Sequence, residues 1–232
     1  PYFLSRPRRF GKSLLLSTFE AYFEGKKELF EGLAIEKMET EWKKYPVLHL
    51  DLNAKKYETP ADLIAMLNQT LEKWEIVYGN EKKDRSPEER FAYVIERAYE
   101  QAGCGVVVLV DEYDKPLLQA LDNDALLEDY RKTLKAFYGV LKSADRYLRF
   151  AFLTGVTKFS QVSVFSDLNQ LNDISLDYSY ATVCGITRTE LVETFTPEIE
   201  EFGRVNKLSA EETVDKMARQ YLSLIHISEP TR

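Results

Sequence analysis

The stretch "YFLSRPRRFGKSLLLSTFEAYFEG", residues 2–25, decides what fold to expect of this chain. A short apolar run at 2–5 reads as the end of a strand, and a basic turn follows it. Residues 12–24 then carry an apolar face at helical spacing, made by Leu15, Leu16, Phe19, Tyr22 and Phe23. This order of strand, turn and helix is the first unit of an α/β protein.

The turn itself is similar to a phosphate-binding loop of the form G-x-x-x-x-G-K-[ST]. Residues 6–13 read RPRRFGKS, so seven of the eight positions are permitted and Arg6 stands where the first glycine belongs. Pro7 has no N–H to donate, and we expect arginine side chains to compensate as phosphate ligands. The alternative is a basic turn before a core helix. The residues expected at the phosphates are Arg8, Arg9, Phe10, Gly11, Lys12, Ser13 and Leu14.

Three residues at the end of the loop carry most of this expectation. Gly11 allows the backbone to approach a phosphate closely, and the N–H groups and dipole of the following helix attract an anion. Lys12 can reach the β- and γ-phosphates, where it would act in catalysis, and the Ser13 hydroxyl can bind Mg²⁺.

A second motif, "VVVLVDEYD" at 106–114, is a Walker B pattern, in which acids follow an apolar strand. In open α/β sheets, ligands bind beyond the carboxyl ends of strands. We expect Asp111 to hold Mg²⁺ and Glu112 to orient and deprotonate the attacking water. The alternative is a strand that is merely capped by two acids.

A third element, "RFAFLTGVTKFS" at 149–160, reads as a buried strand that ends in Thr154. We expect Thr154 to sense the γ-phosphate or its water, with Lys158 and Ser160 as reserves for the same role. The alternative is a buried threonine whose hydroxyl bonds to the backbone.

The rest of the chain alternates short apolar runs with longer helical periods, which predicts a three-layer α/β fold with a mostly parallel sheet. Strands are expected at 46–52, 105–114, 148–155 and 181–186, and helices at 60–78, 87–102 and 125–144.

Composition narrows the class of protein. The chain has 232 residues, 44% of them apolar, and a net charge of −7, which argues against broad, charge-driven binding of nucleic acid. No run of 18 apolar residues and no signal peptide is present, so we expect no membrane span and a cytoplasmic location. Cys104 and Cys184 have no metal-like spacing and are expected to be buried, reduced thiols.

Both ends have unusual features. Residues 222–232, "LSLIHISEPTR", are similar to the translation of a transposase sequencing adapter, and we treat them as a non-native tail. The start at Pro1 predicts a missing upstream segment. With His226 set aside, His49 is the remaining histidine, which makes histidine catalysis a poor expectation.

The segments 3–35, 106–117 and 150–175 together resemble the bacterial AAA-ATPase-like family of predicted ATP-binding proteins. The resemblance covers nearly all of residues 2–221 and implies a P-loop NTPase core of the additional-strand type, with ATP and Mg²⁺ as cofactors. Members often continue into a helical lid and a nuclease-like domain of the PD-(D/E)XK type. It therefore implies a core at 1–186 and the start of the lid at 187–221.

Three functions remain open at this stage. The first is Mg-dependent ATP hydrolysis that drives a conformational change, and the second is an ATP-binding regulatory module with negligible turnover. The third is a small-molecule kinase, which the Asp-Glu pair favours less because that pair suits water activation. The arginine finger stays open among Arg146, Arg149 and Arg188, and an oligomer is compatible with the sequence.

Overall fold

A five-stranded parallel sheet forms the centre of one compact unit, which holds Pro1–Ser5 and Ser13–Asp173. The structure is a computed structural model that describes residues 1–156, 164–165 and 171–220. The strand order is β2-β3-β4-β1-β5, so the predicted additional strand, β4, lies between β1 and β3. The strands are β1 (Tyr2–Ser5), β2 (Val47–Asp51), β3 (Val106–Asp111), β4 (Leu148–Gly155) and β5 (Asn172–Asp173).

The sheet is buried on both faces, as its continuous apolar runs predict. All six residues of β3 are buried. Because side chains alternate along a strand, Val106, Val108 and Val110 point into the main core while Val107 and Leu109 point to the other face. Strand β3 is shorter than the expected strand 105–114, so Glu112 and Asp114 lie beyond its end.

Helices cover both faces of this sheet, which confirms the three-layer α/β class. On one face, Phe19 of α1 packs edge-on against Phe150 and Phe152 of β4. On the other face, three long helices contribute to the main core. The helices of this part of the chain are α1 (Lys12–Phe23), α2 (Ala34–Met38), α3 (Pro60–Tyr78), α4 (Pro87–Ala102), α5 (Lys115–Gln119) and α6 (Asp124–Ser143).

Helices α3 and α4 start in the same way, which explains why their bounds match the sequence expectation. Thr59 and Ser86 are the N-caps, and each is followed by a proline at the first helical position. An acid three residues after the cap, Asp62 or Glu89, accepts from the N-cap backbone N–H and completes a capping box. Hydrogen bonds from the hydroxyl and backbone N–H of Thr59 lower the pKa of Asp62, and those from the backbone N–H and hydroxyl of Ser86 lower the pKa of Glu89, so both caps are formed at neutral pH.

A buried ion pair joins α3 to α4. Arg90 donates to both carboxylate oxygens of Glu75, with Nε–Oε1 and Nη2–Oε2 distances of 2.7 Å. Its remaining terminal nitrogen donates to Asn68 Oδ1 at 2.6 Å. Because hydrogen bonds compensate both charges, the pair tolerates burial between two helices.

The second compact unit holds Arg6–Lys12 and the chain from Ile174 onward. Its helices are α7 (Arg188–Thr194), α8 (Thr196–Asn206) and α9 (Ala210–Gln220). A small core of Leu191, Ile199 and Val214 holds them together. The boundary between a core and a lid at residues 186 and 187 stays a prediction.

Two expectations were wrong. Residues 181–186 form no strand, because Cys184 and Gly185 have φ angles of +68° and +91°, which extended strands do not allow. The cysteines are half-buried rather than buried, and neither forms a disulfide. None of the helices within the described ranges is long and apolar enough to cross a membrane.

Candidate active site

The carboxylate of Asp111 is the centre of a small cluster at the carboxyl end of β3. Ser13, in the first turn of α1, donates from Oγ to Asp111 Oδ2 at 2.5 Å. Thr154, near the end of β4, donates from Oγ1 to Asp111 Oδ1 at 2.7 Å. Asp111 is only 4% exposed and Thr154 is fully buried. Each carboxylate oxygen therefore has its own hydroxyl partner, and the orientation of the carboxylate is fixed.

Thr154 has a more specific partner than the expected backbone alternative. Its hydroxyl lies 3.4 Å from the carbonyl oxygen of Val110, a longer and weaker contact than the one to Asp111. Sequence reasoning had placed Thr154 near a phosphate or its water, and in the structure the residue holds the predicted metal ligand in position. The contact arises because β3 and β4 are parallel neighbours.

The end of β4 is packed tightly against the segment that follows β3. The backbone N–H of Tyr113 donates to the Thr154 carbonyl at 2.9 Å, and the carboxylate of the buried Asp114 accepts from the Val156 N–H. A Cβ atom on Gly155 would lie 2.4 Å from the Tyr113 ring, so a glycine is required there. Burial raises the pKa of Tyr113, which keeps this phenol neutral.

Glu112, the predicted base, sits in a left-handed backbone conformation with φ of +50°. Such a conformation is uncommon for a residue with a side chain and costs free energy. It turns the chain sharply at the end of β3, so that the Lys115 N–H donates to the Glu112 carbonyl at 2.9 Å. The Glu112 carboxylate lies 3.7 Å from the Lys115 ammonium.

The predicted phosphate loop spans residues 6–13, of which Arg6–Lys12 belong to the second unit and Ser13 to the first. The Lys12 ammonium is turned back along the loop and donates to the carbonyls of Arg6 and Pro7 at 3.0 and 3.1 Å. Gly11 has φ of +85°, and a Cβ there would meet no atom within 4 Å. The glycine is therefore required by its backbone conformation and not by a lack of space for a side chain.

Arg6 has a structural role that the sequence did not reveal. Its guanidinium donates to the Ser175 carbonyl at 2.7 Å and to the Tyr180 carbonyl at 3.2 Å. The residue that replaces the usual first glycine thus anchors the segment after β5. No local signal could have predicted this, because the partners lie 169 and 174 residues further along the chain.

The other predicted phosphate ligands differ in exposure. Arg8 and Arg9 are exposed, and Arg9 has φ of +68°. The Phe10 side chain is buried and Leu14 is 72% exposed. Because both side chains are apolar, either residue could contact a phosphate only through its backbone N–H. The reserve candidates Lys158 and Ser160 lie outside the described residues.

The three arginines left open as fingers already have partners. Arg146 lies over the ring of Tyr147 and Arg149 over the ring of Tyr45. Arg188 forms an ion pair with an aspartate of α9 at 2.9 Å. None of them is thereby favoured over the others.

No group of three or more His, Cys, Asp or Glu side chains with metal-binding geometry occurs among residues 1–156, 164–165 and 171–220. The side-chain oxygens that the hydrogen bonds bring together here are the Asp111 carboxylate and the hydroxyls of Ser13 and Thr154. Such a set suits a hard cation that takes its remaining ligands from water and phosphate.

Comparison with known proteins identifies the family. A protein of Azotobacter chroococcum mcd 1, described as "Uncharacterized protein in vnfD 5'region", is 41% identical over 198 residues. The alignment covers 85% of this chain but 38% of that protein, so the chain spans well under half of its relative. No solved structure matches. The family described as "Predicted AAA-ATPase" matches residues 1–165, and this chain belongs to it.

Proposed function

We propose that this chain binds ATP with Mg²⁺ and hydrolyses it, and that hydrolysis drives a conformational change. The observation that carries the proposal is the 2.5 Å hydrogen bond between the Ser13 hydroxyl and the Asp111 carboxylate. A hydroxyl from the first turn after a Gly-Lys pair and an acid that ends a buried strand are the two protein ligands that Mg²⁺ uses in P-loop nucleotide sites. Their contact in the described structure supports the pairing of two motifs that lie 98 residues apart.

Lys12 and Gly11 would bind the phosphates. The Lys12 ammonium donates to two loop carbonyls, which are weaker acceptors than phosphate oxygens. The open space beside Gly11 and the N–H groups at the start of α1 would accept the phosphate anion.

The residues around Asp111 fit Mg²⁺ without further protein ligands. Mg²⁺ prefers oxygen donors and usually keeps several waters and substrate phosphates in its shell. When bound, it would neutralise charge on the β- and γ-phosphates. The chain's own part would be to present the Ser13 hydroxyl and one Asp111 oxygen, while Thr154 holds the other oxygen.

Glu112 would accept a proton from the attacking water. It directly follows Asp111 at the carboxyl end of β3, on the side of the sheet where open α/β proteins bind ligands. Such catalysis would depend on positioning and charge rather than on a covalent intermediate. The choice of ATP over GTP depends on the family description alone.

An ATP-binding regulatory role with negligible turnover is the second candidate. Pro7 offers no N–H, and Arg6 is engaged with carbonyls rather than directed to a ligand, so the loop has fewer phosphate donors than the usual one. Measured turnover decides between the two candidates.

The test is Mg-ATP binding by calorimetry together with phosphate release. We expect Lys12→Ala to weaken ATP binding at least tenfold and Glu112→Gln to bind ATP without releasing phosphate, while the exposed Lys27→Ala changes neither. Ser13→Ala should lower the Mg²⁺ dependence of binding, with Ser17→Ala, one turn further along α1, as its control. Binding without turnover in the unchanged protein would favour the regulatory role, and no binding would overturn both.

A further inference from the structure

We infer that Lys115 is a positioning residue for Glu112, and that Asn53, in the short turn that follows β2, holds Lys115 in place. This inference deepens the proposed function and rests on it. The Lys115 ammonium lies between two partners, the Glu112 carboxylate at 3.7 Å and the Asn53 side-chain oxygen at 2.9 Å. It therefore links the predicted base to the turn that follows a different strand, β2.

The link begins at β2, whose last residue is Asp51. Asp51 pairs in register with Asp111 of β3, so the two strands end at the same level. The Asp51 side chain caps a short 3-10 turn at Leu52–Ala54 and accepts from the Asn53 N–H at 2.8 Å. The position of Asn53 is thus fixed by the strand end rather than by a free loop.

The left-handed backbone of Glu112 brings Lys115 close to the Glu112 side chain. In the left-handed conformation the chain turns at Glu112, and Lys115 becomes the first residue of α5. The Glu112 and Lys115 side chains are 16% and 20% exposed, so water screens their attraction only in part. The cation therefore restricts where the carboxylate can lie, and a base misplaced by about 1 Å can lose up to about 100-fold in rate.

The expected effect lies in turnover and not in binding. Lys115→Met keeps the length of the side chain and removes its charge, and we expect kcat for ATP hydrolysis to fall about tenfold while KM stays within about twofold. Lys115→Arg, which keeps a cation, should recover most of the rate. Lys56→Met, in the exposed segment that follows the same turn, is the matched control and should leave kcat unchanged.

Two further variants separate positioning from a general structural role. Lys115→Met should leave the affinity for Mg-ATP unchanged, both alone and in a Glu112→Gln background that releases no phosphate, because its effect passes through the Glu112 carboxylate and not through nucleotide binding. Asn53→Ala should lower kcat less than Lys115→Met, and the double variant should be no slower than Lys115→Met alone.

The outcomes distinguish this inference from the proposed function. If the unchanged protein hydrolyses ATP in a Glu112-dependent way but Lys115→Met is as fast or faster, the positioning role alone is overturned. A parallel loss of the urea midpoint that Lys115→Arg does not restore also overturns it, because Lys115 would then be structural. If the unchanged protein has no ATPase activity, both the proposed ATP hydrolysis and the positioning role of Lys115 are refuted.

Discussion

Replacing Arg6 with glycine restores the usual phosphate-loop sequence, and we predict that it damages the protein. The side chain of Arg6 donates to the carbonyls of Ser175 and Tyr180. A hydrogen bond to a charged group contributes about 1.5–3 kcal/mol, and the Arg6 contacts are part-buried, so we take the lower end for the pair. Glycine also gives the unfolded chain more freedom, which costs about 0.5–1 kcal/mol. The expected loss of stability is therefore about 2–2.5 kcal/mol.

Hydrogen exchange of the peptide that spans residues 174–181 measures this loss directly. A local destabilisation of about 2 kcal/mol speeds exchange by about 30-fold, since every 1.4 kcal/mol is a factor of ten. Arg6→Lys should give an intermediate result, because lysine keeps the charge but not the two-pronged geometry. Arg8→Gly is the control, since it makes the same substitution at an exposed position of the same loop.

The reasoning fails if Arg6→Gly leaves exchange at residues 174–181 unchanged. It also fails if the variant binds ATP more tightly than the unchanged protein at equal stability. In either case the missing glycine would be a defect of the loop, and the arginine contacts would be dispensable.

Three further perturbations test the fold and the site. Gly155→Ala should destabilise the protein by about 1–3 kcal/mol in thermal melts, because its Cβ has no room, whereas Gly139→Ala, whose Cβ meets nothing, should be neutral or stabilising. Arg90→Met should cost about 3–5 kcal/mol in urea unfolding by leaving a buried carboxylate unpaired, and adding Glu75→Leu should recover most of the loss; no recovery would contradict this account. Thr154→Val should reduce phosphate release about tenfold, while Thr154→Ser, which keeps the hydroxyl, should keep the rate; equal rates for both variants would show that the hydroxyl has no role in turnover.

The elements that the sequence predicted are those whose signals are local. Strand β3 is a continuous apolar run, and α3 and α4 combine a helical period with a capping box and a proline at the start. Because burial on both faces requires such runs, the parallel sheet followed from them. The failure at residues 181–186 has the same basis, since an apolar run alone does not distinguish a strand from a turn with left-handed residues such as Cys184.

The sequence predicted which residues the candidate site would contain, but not the contacts that those residues make. The spacing of two motifs identified Ser13 and Asp111, and strand order then brought them together. The roles of Arg6 and Lys115 depend on acceptors that are distant in sequence, at Ser175 and Asn53. The spacing of apolar residues along the chain does not predict such partners. Side-chain contacts of this kind are fixed by topology, which the sequence reveals only in outline.

The contact between Arg6 and the chain after β5 also orders events during synthesis. Ribosomes add about 5–20 residues per second, so about 10–30 s separate the synthesis of Arg6 from that of Ser175, 169 residues later. By then β1 to β4 have all been translated. Arg6 therefore meets its two carbonyl acceptors only after all five strands have been translated, so the predicted phosphate loop is anchored late in synthesis.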